Sequence, residues 1–187
     1  MTRARFAPSS PPTYTSGMDW EICDVEASDL EAVLTLNQTE VPHVGSVDLD
    51  KMKWFAANAT YFRTVTVDKQ LAAYLIGMRP GTGYESLNYR WFCDRYDDFA
   101  YVDRIAVAEF ARRYGLAYKL YDDFARSVRG SVGIMTCEVN LKPPNETSMR
   151  FHEKLGFRQV GSLAYDDGEK EVAMLLKDLN VQALHKA

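Results

Sequence analysis

The chain holds only three cysteines in 187 residues, Cys23, Cys93 and Cys137, widely separated and without a C-x-x-C spacing. So sparse and odd a number speaks against a disulfide framework and a cysteine zinc site, and fits a reducing compartment. Three histidines, His43, His152 and His185, are equally dispersed and stand at no metal-ligand interval, so no metal is expected. No apolar run approaches the ~20 residues a bilayer span needs, so no membrane partner is expected. Basic residues are in deficit, 22 Lys+Arg against 26 Asp+Glu for a formal charge of −4, with no basic block, which argues against nucleic acid as a partner. Neither GxxxxGK[ST] nor GxGxxG occurs. The N-terminus lacks the apolar stretch of a secretory signal, and a cytoplasmic location is the expectation.

What remains is globular: 47% apolar and 26% charged residues, with 11 Tyr and 9 Phe. The length suits one domain. Met1 to Gly17, rich in Pro, Ser and Thr, reads as a flexible tail, with a single domain over 18–187. Trp20–Val25 is a strand candidate, and Ser28-Asp29-Leu30-Glu31 matches a capping box before Leu30, Val33 and Leu34 at helical spacing. Leu49–Asn58 predicts a second helix. Tyr61–Val67 and Leu71–Met78, separated by Asp68-Lys69, predict an antiparallel hairpin. Arg79–Asp98 follows neither period; it reads either as a loop packed on the core or as a loop covering a substrate.

The clearest pattern follows: strand Phe99–Val107, helix Arg112–Arg129, strand Val132–Val139, helix Asn145–Leu155, and strands Phe157–Tyr165 and Glu171–Lys177. Ala117, Leu120, Tyr121, Phe124, Ala125 and Val128 form a stripe on the first of these helices. Strand, helix and strand in succession imply a right-handed parallel crossover. The fold class is therefore α/β: a mixed sheet with an antiparallel N-terminal half joined to a βαβ half.

Val107 to Ala117 (VAEFARRYGLA) is the segment where chemistry concentrates. Gly115 and Ala117 lack bulk where the long helix begins, so a ligand can approach the backbone. The first helical amides have no intrahelical acceptor and, with Arg112 and Arg113, make an anion cradle suited to pyrophosphate; a plain helix start with chance arginines is the alternative. Arg112-Arg113-Tyr114-Gly115-Leu116-Ala117 resembles the Arg-x-x-Gly-x-Ala acyl-CoA signature of the GNAT superfamily of N-acetyltransferases. Asn145 followed by Phe151-His152-Glu153-Lys154-Leu155-Gly156-Phe157 resembles that family's final helix, and the element order from Trp20 to Lys177 agrees. Segments Glu40–Gly45, Asn88–Phe92 and Cys137–Asn140 resemble a bacterial branch without an assigned substrate.

The resemblance implies a GNAT-like mixed sheet with helices on both faces and acetyl-CoA as cosubstrate. Ile105, Ala106 and Val107 would offer backbone groups to the pantetheine arm. The pyrophosphate would lie on the amides of Arg113, Tyr114, Gly115, Leu116 and Ala117, with Arg112 as flank and Asn145 near the cofactor arm. Acetyl transfer to an amine needs a proton acceptor. Glu138 matches a base-bearing position in ribosomal-protein N-terminal acetyltransferases of the superfamily; Asp103 is the second candidate, and either can instead be a structural carboxylate. His152 stands where many members carry Tyr, and an imidazole can protonate the leaving thiolate, act as base, or simply pack. Acceptor-binding candidates are Glu40, His43, Tyr84, Asn88, Arg90 and Trp91, since carboxylates beside aromatics suit a cationic amine and Arg90 can clamp a carboxylate. The expected activity is acetylation of a primary amine of a small molecule or amino acid by direct attack. The alternatives are a protein N-terminal or lysine acetyltransferase and a non-catalytic acyl-CoA-binding domain; a homodimer is compatible with any of them.

Overall fold

The computed structural model describes residues 19–180, so the expected tail over Met1–Gly17 lies outside the described residues. Seven strands form one sheet in the order β1-β2-β3-β4-β5-β7-β6: β1 Trp20–Asp24, β2 Tyr61–Val67, β3 Gln70–Met78, β4 Ala100–Val107, β5 Ile134–Lys142, β6 Arg158–Tyr165 and β7 Lys170–Asp178. Every pairing is antiparallel except β4 with β5. Helices α1 Leu30–Thr39, α2 Leu49–Asn58 and α3 Leu87–Cys93 cover one face, and α4 Leu116–Ser127 and α5 Glu146–Lys154 the other. The mixed sheet with helices on both faces is as the sequence predicts. Among the described residues no helix is long and apolar enough to cross a membrane.

Each face has its own apolar cluster, and strand periodicity sorts side chains between them. On β3, Tyr74, Ile76 and Met78 join the α1/α2/α3 layer, while Ala73 and Leu75 join the α4/α5 layer. The β2–β3 hairpin closes on Asp68 and Lys69, both with φ positive (50° and 66°), the geometry whose twist matches paired strands. The stripe foreseen on α4 is buried at Leu120, Tyr121 and Phe124.

Several element ends shift by one to three residues, the strand expected over Val132–Val139 running Ile134–Lys142, and three further differences stand out. The first capping interaction lies two residues upstream of the Ser28 box: Asp29 Oδ2 accepts from the Glu26 amide at 2.9 Å, closing a 3-10 turn (Ala27–Asp29) that leads into α1. The helix expected from Arg112 begins at Leu116, because Arg113 and Gly115 both take left-handed backbone conformations (φ 72° and 75°). The Arg79–Asp98 connection contains α3, whose seven residues are too few to show a helical period but bury Tyr89 and Phe92 in the core.

Two irregularities in β4 place the site. Its parallel ladder with β5 consists of Ala100↔Met135 and Tyr101↔Thr136, after which the two strands part. Its ladder with β3 slips between Ile76↔Arg104 and Gly77↔Val102, which leaves Asp103 as a bulge. The slip carries Arg104 onto the α1/α2/α3 face, where its guanidinium lies 4.8 Å from the Phe55 ring centroid. Opposite the bulge, Gly77 has no room for a side chain, since a Cβ there would run into the Phe124 ring. Replacing Gly77 by Ala should therefore destabilise the fold by ~1–3 kcal/mol in denaturant titration, and Phe124→Leu in the same chain should recover part of the loss.

Candidate active site

The parting of β4 and β5 opens a cleft of about 1220 Å³. One wall is the 40–46 segment after α1; the others come from the start of α3, the N-terminal turns of α5 and the first turn of α4. Beyond Tyr101 the β5-facing edge of β4 is released from its ladder, so Ile105, Ala106 and Val107 line the cleft with backbone available to a ligand.

Glu138 sits on β5 at the floor. Its Oε1 accepts from Asn88 Nδ2 at 2.9 Å and its Oε2 from the Tyr101 hydroxyl at 2.8 Å. Burial and the negative charge of Asp103 push its carboxyl up to about 8, against the opposing effect of those two donors and of Arg104. Asp103 has a different environment. Its Oδ2 accepts from Arg104 Nε at 2.6 Å, with both side chains nearly buried. Arg104 also donates through Nη1 to Asn37 Oδ1 (3.0 Å) and to the Gly45 carbonyl (3.1 Å), and the Tyr74 hydroxyl donates to the same Asn37 oxygen at 2.7 Å. The second candidate carboxylate thus belongs to a network that ties the 40–46 wall to the sheet.

His152 is buried, with its ring among Tyr121, Phe151 and Phe157. Nδ1 lies 2.8 Å from the Ser148 carbonyl, which can only accept, so Nδ1 carries the proton and Nε2 accepts from the Tyr121 hydroxyl at 2.7 Å. Desolvation lowers its affinity for a second proton, while the same burial holds the Tyr121 phenol protonated. Both nitrogens are engaged, so the imidazole holds Tyr121 in place and offers the cleft no free nitrogen. Tyr121, itself at the cleft wall, was missed in the sequence because its place in the apolar helical stripe marks it as core.

The segment expected to form the anion cradle differs in geometry from a plain helix start. Arg112 is extended, Gly115 caps α4, and the first i→i−4 bond runs from the Lys119 amide to the Gly115 carbonyl at 3.1 Å, leaving the preceding amides at the helix end. Arg112 and Ala117 line the cleft; Arg113 and Tyr114 are exposed, and the Leu116 side chain is in the core, so these contribute backbone alone. A Cβ at Gly115 would meet nothing within 4 Å, which leaves the approach open. Arg112 Nη2 donates to Glu40 Oε1 at 2.6 Å, joining a predicted phosphate ligand to a predicted acceptor ligand in one ion pair. Asn145 caps α5, accepting from the Ser148 amide at 3.0 Å, and its Nδ2 faces His43 Nδ1 at 3.4 Å.

The remaining acceptor candidates divide. Tyr84 and Asn88 line the cleft. Tyr84 stacks on Trp54 with centroids 5.5 Å apart, and burial with the charge of Asp103 raises its phenol. Arg90 is exposed, with Glu85 4.0 Å away, and Trp91 packs under the Arg95 guanidinium and against Gly161 of β6. Neither reaches the cleft, because the Asn88 side of α3 faces it and these two residues belong to the helix's other contacts.

Comparison with known proteins agrees with this geometry. The model of the Acetyltransferase (GNAT) family matches residues 28–157. Among solved structures, the ribosomal-protein-S18-alanine N-acetyltransferase from Escherichia coli aligns with TM-score 0.63 at 19% identity, over 90% of this chain and 99% of that one. Ard1 from Thermoplasma volcanium aligns with TM-score 0.68 at 20% identity (85% and 97% covered), and Arabidopsis thaliana NAA60, in complex with a bisubstrate analogue, with 0.66 at 15% (86% and 98%). A comparison with curated protein sequences gives no match. Fold and cleft are those of an acyl-group transferase. The chain belongs to the GNAT acetyltransferase family, whose cosubstrate is acetyl-CoA.

The environment of Glu138 has a measurable consequence. With its carboxyl raised to about 8, the folded state binds a proton that the unfolded chain, at ~4.3, has released, so stability falls as pH rises between those values. Glu138→Gln removes the ionisation and keeps an acceptor for Tyr101. The variant should exceed the parent in melting temperature at pH 9, by a margin worth on the order of 2 kcal/mol, and this advantage should shrink toward pH 5.

Proposed function

We propose that the protein acetylates the primary amine of a small molecule by direct attack on acetyl-CoA, with Glu138 as the proton acceptor. The observation that carries the reading is a half-buried carboxylate at the opening between β4 and β5, held by two neutral donors, Asn88 and Tyr101. The cosubstrate supplies the acetyl group as an activated thioester; every other contribution comes from the chain.

Glu138, at about 8, matches an α-type amine of pKa ~8, so proton transfer between them is nearly isoenergetic. An alkylammonium near ~10.4 costs about 3 kcal/mol more to deprotonate by the same group. Tyr101 and Asn88 orient the carboxylate and lower its proton affinity in part, but desolvation and the charge of Asp103 outweigh them. An amide of the Ile105–Val107 stretch turned toward β5 would receive developing negative charge on the acyl oxygen. The backbone of 113–117 and the Arg112 side chain, released from Glu40, would hold the diphosphate, which replaces one anionic partner of Arg112 by another.

Two measurements test this. kcat/KM should rise with pH through a limb near 8, and Glu138→Gln should lower kcat by ~10²–10⁴ and abolish the limb; an unchanged profile would remove Glu138 from the role. Ala117→Glu places a carboxylate in the first turn of α4, where the helix dipole favours it. The free variant should melt no lower than the parent, yet lose the stabilisation that rising acetyl-CoA confers on the parent.

A further inference from the structure

The charged groups around the cleft are unequally committed. Arg104 is bound to Asp103, Arg112 to Glu40, Arg150 to Glu146 at 3.1 Å and Lys170 to Asp166 at 3.0 Å. Lys142 closes β5 and donates to the Gly168 carbonyl at 3.3 Å. Each lining Lys or Arg therefore has an acceptor of its own among the described residues. On the acidic side, Glu138 takes its two hydrogen bonds from neutral groups.

A second observation lies beside it. Asn88 spends Nδ2 on Glu138, and its Oδ1 is buried with no donor among the described residues. A buried carbonyl oxygen without a donor costs ~1–3 kcal/mol, which a ligand N–H can recover. Adjacent to one another stand a carboxyl that lacks a cation and a carbonyl that lacks a donor. Both ask for N–H groups.

We propose that the acceptor end of the cleft selects a primary amine with no carboxylate on the carbon beside it, the amine donating to Asn88 Oδ1 and Glu138. The inference rests on the proposed acetyltransferase reading and narrows its acceptor class. An acceptor carboxylate would have to break an existing ion pair, or draw Lys142 from the Gly168 carbonyl, to find a cation. It would also face Asp103, Glu138 and Glu40, which line the same cleft. Arg90, the residue that could have clamped a carboxylate, lies outside the cleft. Amines and amides of amino acids avoid the penalty, and the corresponding free amino acids incur it in full.

Thiol release from acetyl-CoA is measured with the full chain over matched triplets, each an amine, the amino-acid amide and the free amino acid with the same side chain (methyl, phenyl, indole, imidazole and aminoalkyl). A peptide arm carries the same side chains at its N-terminus. The expected result is kcat/KM at least tenfold higher for the carboxylate-free members than for the free acid in each triplet that reacts. Asn88→Leu should lower kcat/KM for the amines at least tenfold and narrow the gap to the acids, while acetyl-CoA still raises the melting temperature as in the parent. Free amino acids reacting as well as their amides would overturn the inference and leave the acetyltransferase reading intact. No turnover with any acceptor, with acetyl-CoA still stabilising the protein, would overturn the reading and the inference together. Turnover confined to the peptides would overturn the small-molecule reading and uphold the exclusion of the carboxylate.

Discussion

The structure depends on how few residues of β4 and β5 are paired. Two registered positions, Ala100↔Met135 and Tyr101↔Thr136, hold the halves of the sheet together, and beyond them the strands diverge. The divergence is sustainable because each strand is secured on its other side, β4 by the antiparallel ladder to β3 and β5 by the long ladder to β7. The sheet thus keeps its continuity while presenting unpaired backbone in the middle of an otherwise closed surface. Such groups demand a partner. Among the described residues the β5 ladder gives Ile105 to Val107 no partner on that edge, where Arg112 Nε reaches the Val107 carbonyl at 3.3 Å, and a thioester arm with amide groups of its own would be a chemically apt one.

Charge around the opening follows from the same local geometry. The bulge at Asp103 puts Arg104 on the face of α1 and α2, where it pairs with Asp103 and reaches Asn37 and Gly45. That commitment neutralises one of the two central carboxylates and leaves the other with neutral partners alone. Without the bulge, the alternation of β4 would send Arg104 to the opposite face. Glu138 would then share the cleft with an uncompensated Asp103, and their mutual repulsion would hold protons on the pair to higher pH. One extra residue in a strand therefore sets both the anchoring of the 40–46 wall and the basicity of the floor.

The order of the elements was legible because burial imposes periods of 2 and 3.6 on the sequence. The second helix over Leu49–Asn58 and the strand Tyr61–Val67 match the structure residue for residue. The start of α4 was less so. Arg113 adopts a left-handed conformation without being glycine, so its turn looks helical in one-letter code. Asn88 and Glu138 were candidates, but their contact across fifty positions and the part of Tyr101 were invisible, since a hydrogen bond between distant segments leaves no local pattern. Arg90 and Trp91 lie outside the cleft for a related reason: residue type suggests chemistry, but only the orientation of α3 decides which side chains meet the cleft. Tyr121 was hidden by its stripe, and His152 was read by its neighbours in sequence where its neighbours in space govern it.

His152 shows how surroundings limit what an ionisable group can do. A charged imidazole there would need a carboxylate or water, and its surroundings are two phenyl rings, the Tyr121 phenol, and the hydroxyl and backbone carbonyl of Ser148. Desolvation keeps it neutral, and its one accepting nitrogen is spent on Tyr121, whose own proton burial retains. Asp103 is bound to Arg104, and Glu40 to Arg112. Of the carboxyls that line the cleft, Glu40, Asp103 and Glu146 are in ion pairs, and Glu138 alone is held by neutral donors, Tyr101 and Asn88. On the proposed reading, a proton leaving an amine where β4 and β5 separate would find there a carboxyl that takes it without breaking an ion pair.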